Sequence, residues 1–270
     1  MLQAFFCDIR SNFSIIMTFS IITITYNAEQ TLPATLRSVA EQSCRDYEHI
    51  IIDGASKDNT VALAKDLFPD SRRHVFSEPD KGLYDAMNKG IEKAKGDYLL
   101  FLNAGDSFAS EDTLLLFAEA ASRRPDIIYC DTLLVDAQRR IVGKRHLDAP
   151  ERLTFKSFAA GMLVCHQAFC VRRDLVESYN LYYRFSADYE WCLRILKKSD
   201  PEKCFNLKSA GIHYLTDGLT DKNHTASLRE RYRIMCRYYG FIPTTLRHIP
   251  FLFRHLRRRF LSSDSQPGNP

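Results

Sequence analysis

The sequence lacks paired cysteines, a glycine-rich phosphate loop, a long unbroken apolar run and any strong excess of one charge. Its eight cysteines (Cys7, Cys44, Cys130, Cys165, Cys170, Cys192, Cys204 and Cys236) show no CxxC pair and no regular spacing. Most have apolar neighbours, so they read as reduced core residues of a cytoplasmic protein, not as a disulfide frame or a zinc site. No GxGxxG follows the first strand and no GxxxxGK(S/T) occurs anywhere. These absences argue against a dinucleotide-dependent dehydrogenase and a P-loop NTPase. They also weaken a nucleotidyltransferase, which needs a basic or glycine-rich loop for a triphosphate. The apolar stretch from Phe13 to Ile24 is interrupted by Ser14 and Thr18. It is too short and too polar to span a bilayer, and no other window comes close. Met17, just ahead of the first convincing strand, is a candidate true start. A net charge of +4 gives no sign of a nucleic-acid partner.

What is present is an alternation. Phe19 to Thr25 (FSIITIT) is β-branched and apolar, and Tyr47 to Ile52 (YEHIII) repeats the pattern. His74 to Phe76 makes a short third strand and Tyr98 to Leu102 a fourth. Between them, Ala34 to Gln42, Thr60 to Phe68 and Leu83 to Lys95 carry apolar residues at helical spacing. Strand and helix in turn predict an α/β fold, a parallel sheet covered by helices on both faces. Beyond Asp112 the pattern loosens. Asp126 to Cys130 and Thr132 to Asp136 read as strands, with Ile141 to Arg145 returning as a hairpin around Ala137-Gln138-Arg139. Cys165 to Arg172 places His166 and Gln167 in a buried segment.

With 270 residues, 45% of them hydrophobic, the chain can bury one full core and still carry an extension. The expected organisation is one domain over 17–225, its halves meeting near residue 112, then a basic amphipathic helical extension over 226–261 and a disordered tail over 262–270. From Arg229 onward basic residues alternate with aromatic and aliphatic ones. That suits either an anionic membrane surface, met from the cytoplasmic side, or a docked helix with solvated charges.

Three predicted strand ends deliver polar groups to one rim: Thr25-Tyr26-Asn27, Asp53, and Asn103-Ala104-Gly105-Asp106. In open α/β sheets ligands sit beyond these carboxyl ends. A rim of carboxylates and amides without a glycine cradle suits a divalent cation gripping a diphosphate. Asp106 would equally serve as a cap for the helix that follows.

In that order, the runs SIITITYNAEQTLPATLRSV, HIIIDGASKDNT and EPDKGLYDAMNKGIEKAKGDYLLFLNAGD resemble the nucleotide-sugar half of family 2 glycosyltransferases of the GT-A fold. Bacterial enzymes of exopolysaccharide and O-antigen assembly, including the colanic acid type, are the nearest in kind. The likeness is strong over 19–112 and looser through CHQAFCVRRDL and SADYEWCLRIL to about Thr220. It implies that Thr25, Tyr26 and Asn27 border the nucleoside and that Asp53 holds the base or ribose. Lys81, with Asp80, would lie near the base or phosphates. Residues 103–106 stand in place of the Asp-X-Asp metal turn, where Asp106 would hold Mg2+ or Mn2+ with help from His213. The sequence departs from the family there, because Asp106 is the turn's one carboxylate, and the donor's diphosphate must supply further oxygens.

Asp188 matches the catalytic aspartate, although Ala187 replaces the usual preceding Glu. His166 and Gln167 look like the acceptor-side pair, and Glu190 would help to orient the acceptor. A base near the acceptor hydroxyl is what inverting transfer from a nucleoside diphosphate demands. Asp188 also suits the start of a helix, and His166, Gln167 and His213 also suit a packed sheet. The expected activity is inverting transfer of a hexose from a UDP- or GDP-sugar to a saccharide or lipid-linked acceptor in cell-surface polysaccharide synthesis. A non-catalytic nucleotide-sugar-binding scaffold of the same fold is the alternative.

Overall fold

The computed structural model describes residues 18–216 and 224–249. Strand β1, Phe19–Thr25, is buried along its whole length, as a continuous β-branched run requires at the centre of a sheet. Strands β2 (Tyr47–Asp53) and β4 (Tyr98–Phe101) flank it in parallel, and β3 (Arg73–Ser77) extends the sheet beyond β2. Helices α1 (Leu32–Ala40), α2 (Thr60–Asp66) and α3 (Leu83–Lys93) make the crossovers. Alternation along β2 divides the core between two faces. Ile51 packs with Leu32, Leu36 and Ala64 of α1 and α2, while Ile50 and Ile52 join Tyr84, Ala86 and Met87 of α3 in the larger cluster.

The second half is mixed. Strand β6, Ile127–Val135, pairs antiparallel with β8 (Phe169–Arg172) and β7 (Ile141–Lys144), and parallel with β9 (Cys204–Leu215). Strand β8 runs antiparallel to β4 and so fuses the halves, while the two-residue β5, Ser107–Phe108, lies on the far side of β9. The order is β3-β2-β1-β4-β8-β6-β9-β5, with β7 beside β6.

The first half matches expectation to within a few residues at each end. The two strands expected over Asp126–Asp136 are one. His166 and Gln167 lie in a short 3-10 turn, His166–Ala168, which precedes β8 and is not strand. Helix α4 spans Thr113–Ala121 and starts well after Asp106, which therefore caps nothing. Helices α5 (Ala187–Lys198) and α6 (His224–Tyr239) follow. Gly240, at φ +89, interrupts the latter before residues 241–249 turn helical again. Cys44, Cys130, Cys165, Cys170 and Cys192 are buried thiols, as their neighbours suggested. Met17, Thr220, the tail from 262 and the basic run beyond Ile249 lie outside the described residues. Among those described, no helix is long and apolar enough to cross a membrane.

Candidate active site

Parallel pairing sets Thr25 directly against Asp53 at the ends of β1 and β2. The Asp53 carboxylate accepts from Thr25 Oγ1 at 3.0 Å, from Ser77 Oγ at 2.7 Å, from the Ser56 amide at 2.9 Å and from the Ser56 hydroxyl. Burial pushes this carboxyl up, but the bonds from Ser56, Ser77 and Thr25 outweigh it and hold the acid below its usual range. Asp53 is thus a fully bonded staple across three strand ends, with none of its surface exposed. What faces outward around it is Tyr26, 61% exposed, and Asn27 in a left-handed turn at φ 48. Asn27 Oδ1 accepts from the Lys57 amide, which ties this turn to the loop after β2. Gly54 makes the next approach possible, because a Cβ there would sit 2.4 Å from Asp80 Oδ2 and 3.3 Å from the Tyr26 ring. The rim therefore gathers Tyr26, Asn27 and Asp80. Lys81 is exposed beside Asp80, and its backbone amide bonds Asp85.

The turn after β4 is held from beneath by Thr35. Its hydroxyl accepts from the Gly105 amide at 2.9 Å and donates to the Asp106 carbonyl at 2.6 Å. Gly105 needs a left-handed backbone, φ +103, and a Cβ would strike Leu215 at 2.8 Å. Asp106 is 4% exposed, and Oδ1 accepts from the Leu215 amide of β9 at 3.0 Å. Burial pushes its carboxyl up to about 7, against the pull of Leu215, the Gln167 amide and Arg139. His213 pairs with Ser107 across β9 and β5. Burial, and then the Arg139 guanidinium, both lower the pKa of His213 below its ordinary range.

Asp188 occupies the first turn of α5, where Oδ1 accepts from Tyr84 Oη at 3.1 Å and from the Tyr189 amide. Among the described residues its second oxygen has no hydrogen-bond partner. Tyr84 stacks on Tyr179, which stacks on Trp191, and His166 lies on Phe101 at the end of β4 with centroids 4.9 Å apart. His166 Nε2 is bonded to Tyr179 Oη, and burial takes its pKa down to about 4 although Asp188 pulls the other way. Two consecutive residues therefore stand near the two acids: the Gln167 amide pulls the Asp106 carboxyl down, and His166 lies in the field of Asp188. Both carboxylates border one rim, at the carboxyl end of β4.

The glycosyl transferase family 2 description matches residues 20–179. A PGL/p-HBAD biosynthesis glycosyltransferase of Mycobacterium tuberculosis is 39% identical over 183 residues, 65% of this chain and 68% of that protein. The chain belongs to glycosyltransferase family 2. An uncharacterized glycosyltransferase of the same organism is 36% identical over 189 residues, 68% of this chain and 71% of that protein. Staphylococcus aureus TarS 1-349 superposes with a TM-score of 0.67 at 16% identity, covering 87% of this chain and 72% of that one. The mannosyltransferase PcManGT of Pyrobaculum calidifontis, solved with GDP-Man and Mn2+, gives 0.64 at 13% identity, covering 100% and 84%. At such identities the likeness carries the fold, which is GT-A.

Within this glycosyltransferase, Glu190 is tied into the fold. Glu190 is 3% exposed, and its oxygens take Tyr238 Oη at 2.6 Å and Arg194 Nε at 3.0 Å. It locks α5 to α6, with both oxygens engaged inside the protein. Two residues went unread in the sequence. Arg139, at the hairpin between β6 and β7, donates to the Gly105 carbonyl at 2.5 Å and to Ser107 Oγ. Glu230 of α6 accepts from the amides of Arg184, Phe185 and Ser186 just ahead of Asp188.

The donor set around Asp106 does not fit a divalent ion well. The described residues hold no group of three His, Cys, Asp or Glu side chains that could cage one. The carboxylate is already bonded, and a guanidinium stands beside it. Asn103 Oδ1 is buried without a partner and open to a cation, and the same amide rotated would present NH2 instead.

Proposed function

We propose that this glycosyltransferase inverts the anomeric centre of a hexose as it moves it from a UDP- or GDP-sugar to a saccharide or lipid-linked hydroxyl in cell-surface polysaccharide synthesis. Asp188 is the general base. The observation that carries this reading is its second oxygen, without a hydrogen-bond partner among the described residues, in the first turn of α5 beside Tyr84 and within the field that acts on His166. The donor's nucleoside lies against Tyr26 and Asn27, with Thr25 and Asp53 fixing the strand ends below and Lys81 reaching the base or phosphates. Its diphosphate lies over residues 103–106. The acceptor hydroxyl approaches from the side of His166, attacks the anomeric carbon and gives its proton to Asp188 as the bond to the diphosphate breaks. His166, kept neutral, orients Tyr179 and the acceptor without competing for the proton.

Relatives and neighbours lend support in kind. TarS has been solved with UDP-GlcNAc, PcManGT with GDP-Man, and the mycobacterial relative is named for PGL/p-HBAD biosynthesis. The enzyme works peripherally at a membrane face, where lipid-linked acceptors are presented.

Replacing Asp188 by Asn is expected to lower transfer by roughly 10²–10⁴-fold, the usual worth of a positioned base, while sugar-nucleotide binding by calorimetry stays within a few-fold. Unchanged turnover in that variant would take Asp188 out of the mechanism.

A further inference from the structure

Beside the diphosphate rim stands a cation that the transfer scheme above leaves idle. Arg139 comes from the second half of the fold, at the turn between β6 and β7, with a left-handed φ of 64 that aims the hairpin tip at the turn after β4. Its two terminal nitrogens grip the Gly105 carbonyl and Ser107 Oγ, so the guanidinium is pinned to the segment that stands in for a metal-binding turn. It is half-buried, at the border of protein and solvent. A guanidinium carries five N–H donors in a planar fork, and only part of that fork is used on the turn. Its charge acts on both Asp106 and His213, the two residues that a metal would need. A dication placed between those groups would face the guanidinium directly, and like charges at such range repel strongly in a partly dry site.

We infer that Arg139, not a divalent ion, supplies the positive charge that grips the donor's diphosphate and stabilises it as the leaving group. This rests on the transfer reading given above. As the acceptor oxygen bonds to the anomeric carbon, the bond from that carbon to the phosphate oxygen breaks and its electron pair passes to the diphosphate. The acceptor proton goes to Asp188. A charged fork already in place meets the new negative charge without recruiting an ion from solution. Asn103, with its amide turned to present NH2, would add a neutral donor on the same phosphate.

The test is calorimetry on the full chain with UDP and GDP, each compared with its nucleoside monophosphate, in EDTA and in Mn2+. The expected result is diphosphate binding in EDTA within a few-fold of that in Mn2+. Arg139→Met should then lose at least about tenfold for the diphosphate and little for the monophosphate, the signature of one lost charge-assisted contact. Arg139→Lys keeps the charge without the fork and should fall between, so the effect remains readable if the methionine variant melts early. Binding by the native chain that requires Mn2+ would overturn the inference. So would an Arg139→Met protein that binds the diphosphate normally, or that loses both nucleotides equally. No nucleotide binding by the native chain under either condition would instead remove the transfer reading on which the inference rests.

Discussion

His49 shows how completely a single buried side chain can have its state decided by its neighbours. Thr23 Oγ1 donates to the Leu102 carbonyl at 2.8 Å, so it must accept from His49 Nε2 at 2.9 Å. Nδ1 is then the unprotonated nitrogen, buried and without a partner. A second proton there would be a charge with no acceptor, and burial takes the His49 pKa down to about 3. His166 is likewise held down, to about 4, from an ordinary 6.5. Between pH 6.5 and 4 the unfolded chain therefore binds a proton at each of these histidines that the folded chain refuses, so stability falls as the solution is acidified. Asp106 works the other way. Raised from 3.8 to about 7, it keeps a proton when folded that the unfolded chain has released, so stability falls as pH rises through that range. From these three groups alone, two histidine protons against one aspartate proton leave a net loss of roughly 1.4 kcal/mol per pH unit on acidification from 6 to 4.5, and His213, also lowered, acts in the same direction. Asp106→Asn removes the opposing contribution and should steepen that slope by roughly 1 kcal/mol per pH unit. Urea denaturation midpoints across the range measure it, and a slope indifferent to the substitution would show that Asp106 is ionised in the folded protein.

At the scale of an element, the helix that carries the base has no cap of its own. Ser186 stands at the N-cap of α5 without a side-chain cap bond. The cap comes from α6, where Glu230 takes the Arg184 amide at 2.8 Å, the Phe185 amide at 2.7 Å and the Ser186 amide at 2.6 Å. Ser186 Oγ is held in addition by Ser227 at 3.1 Å. Asp188 lies two residues into the same turn, so its aim depends on a carboxylate more than forty residues later in the chain. Glu230→Ala should cost about 2 kcal/mol in stability, the upper range for a lost cap. It should also lower kcat by about tenfold or more with the donor KM nearly unchanged, because a small misplacement of the base acts on the chemical step. Glu230→Gln keeps an acceptor oxygen and should recover most of both. An alanine variant with native kcat would show that Asp188 is positioned by Tyr84 alone.

The same elements show what was readable beforehand. Strands β1, β2 and β4 announced themselves because central parallel strands are apolar on both faces, and the strand ends followed. Arg139 and Glu230 left no local trace, since their partners lie more than thirty residues away and an arginine in a hairpin or a glutamate on a helix is ordinary. Glu190 was drawn to the acceptor side by its proximity in sequence to Asp188. Two residues apart on a helix, it points about 200° from Asp188, and helical spacing would have separated the pair.

For the whole molecule, the sheet and its rim leave one surface unexplained by catalysis. After Gly240 the chain resumes helix over 241–249, docked through Thr244, 1% exposed, through Thr245 on Tyr232 at 2.7 Å, and through His248 against the Tyr232 ring. At about 100° per residue, Ile242, Leu246 and Ile249 fall within roughly 60° of one another on a different side. They are 70%, 60% and 38% exposed, a run of large apolar residues that the described fold does not cover. The sequence that follows adds Arg254, Arg257, Arg258 and Arg259. Apolar side chains on one stripe with arginines close by match the boundary of an anionic bilayer, where each basic residue contributes about 1 kcal/mol and salt weakens the attraction. A chain ending at Gly240 keeps the nine-stranded sheet and both carboxylates. It should bind UDP or GDP as the full chain does and transfer normally to a soluble acceptor. Flotation with vesicles containing anionic lipid should retain the full chain at low salt, release it at high salt and never retain the shortened one. Equal flotation of both proteins would place the membrane contact elsewhere on the molecule. Loss of nucleotide binding on truncation would mean that the extension belongs to the catalytic domain and not to its anchorage.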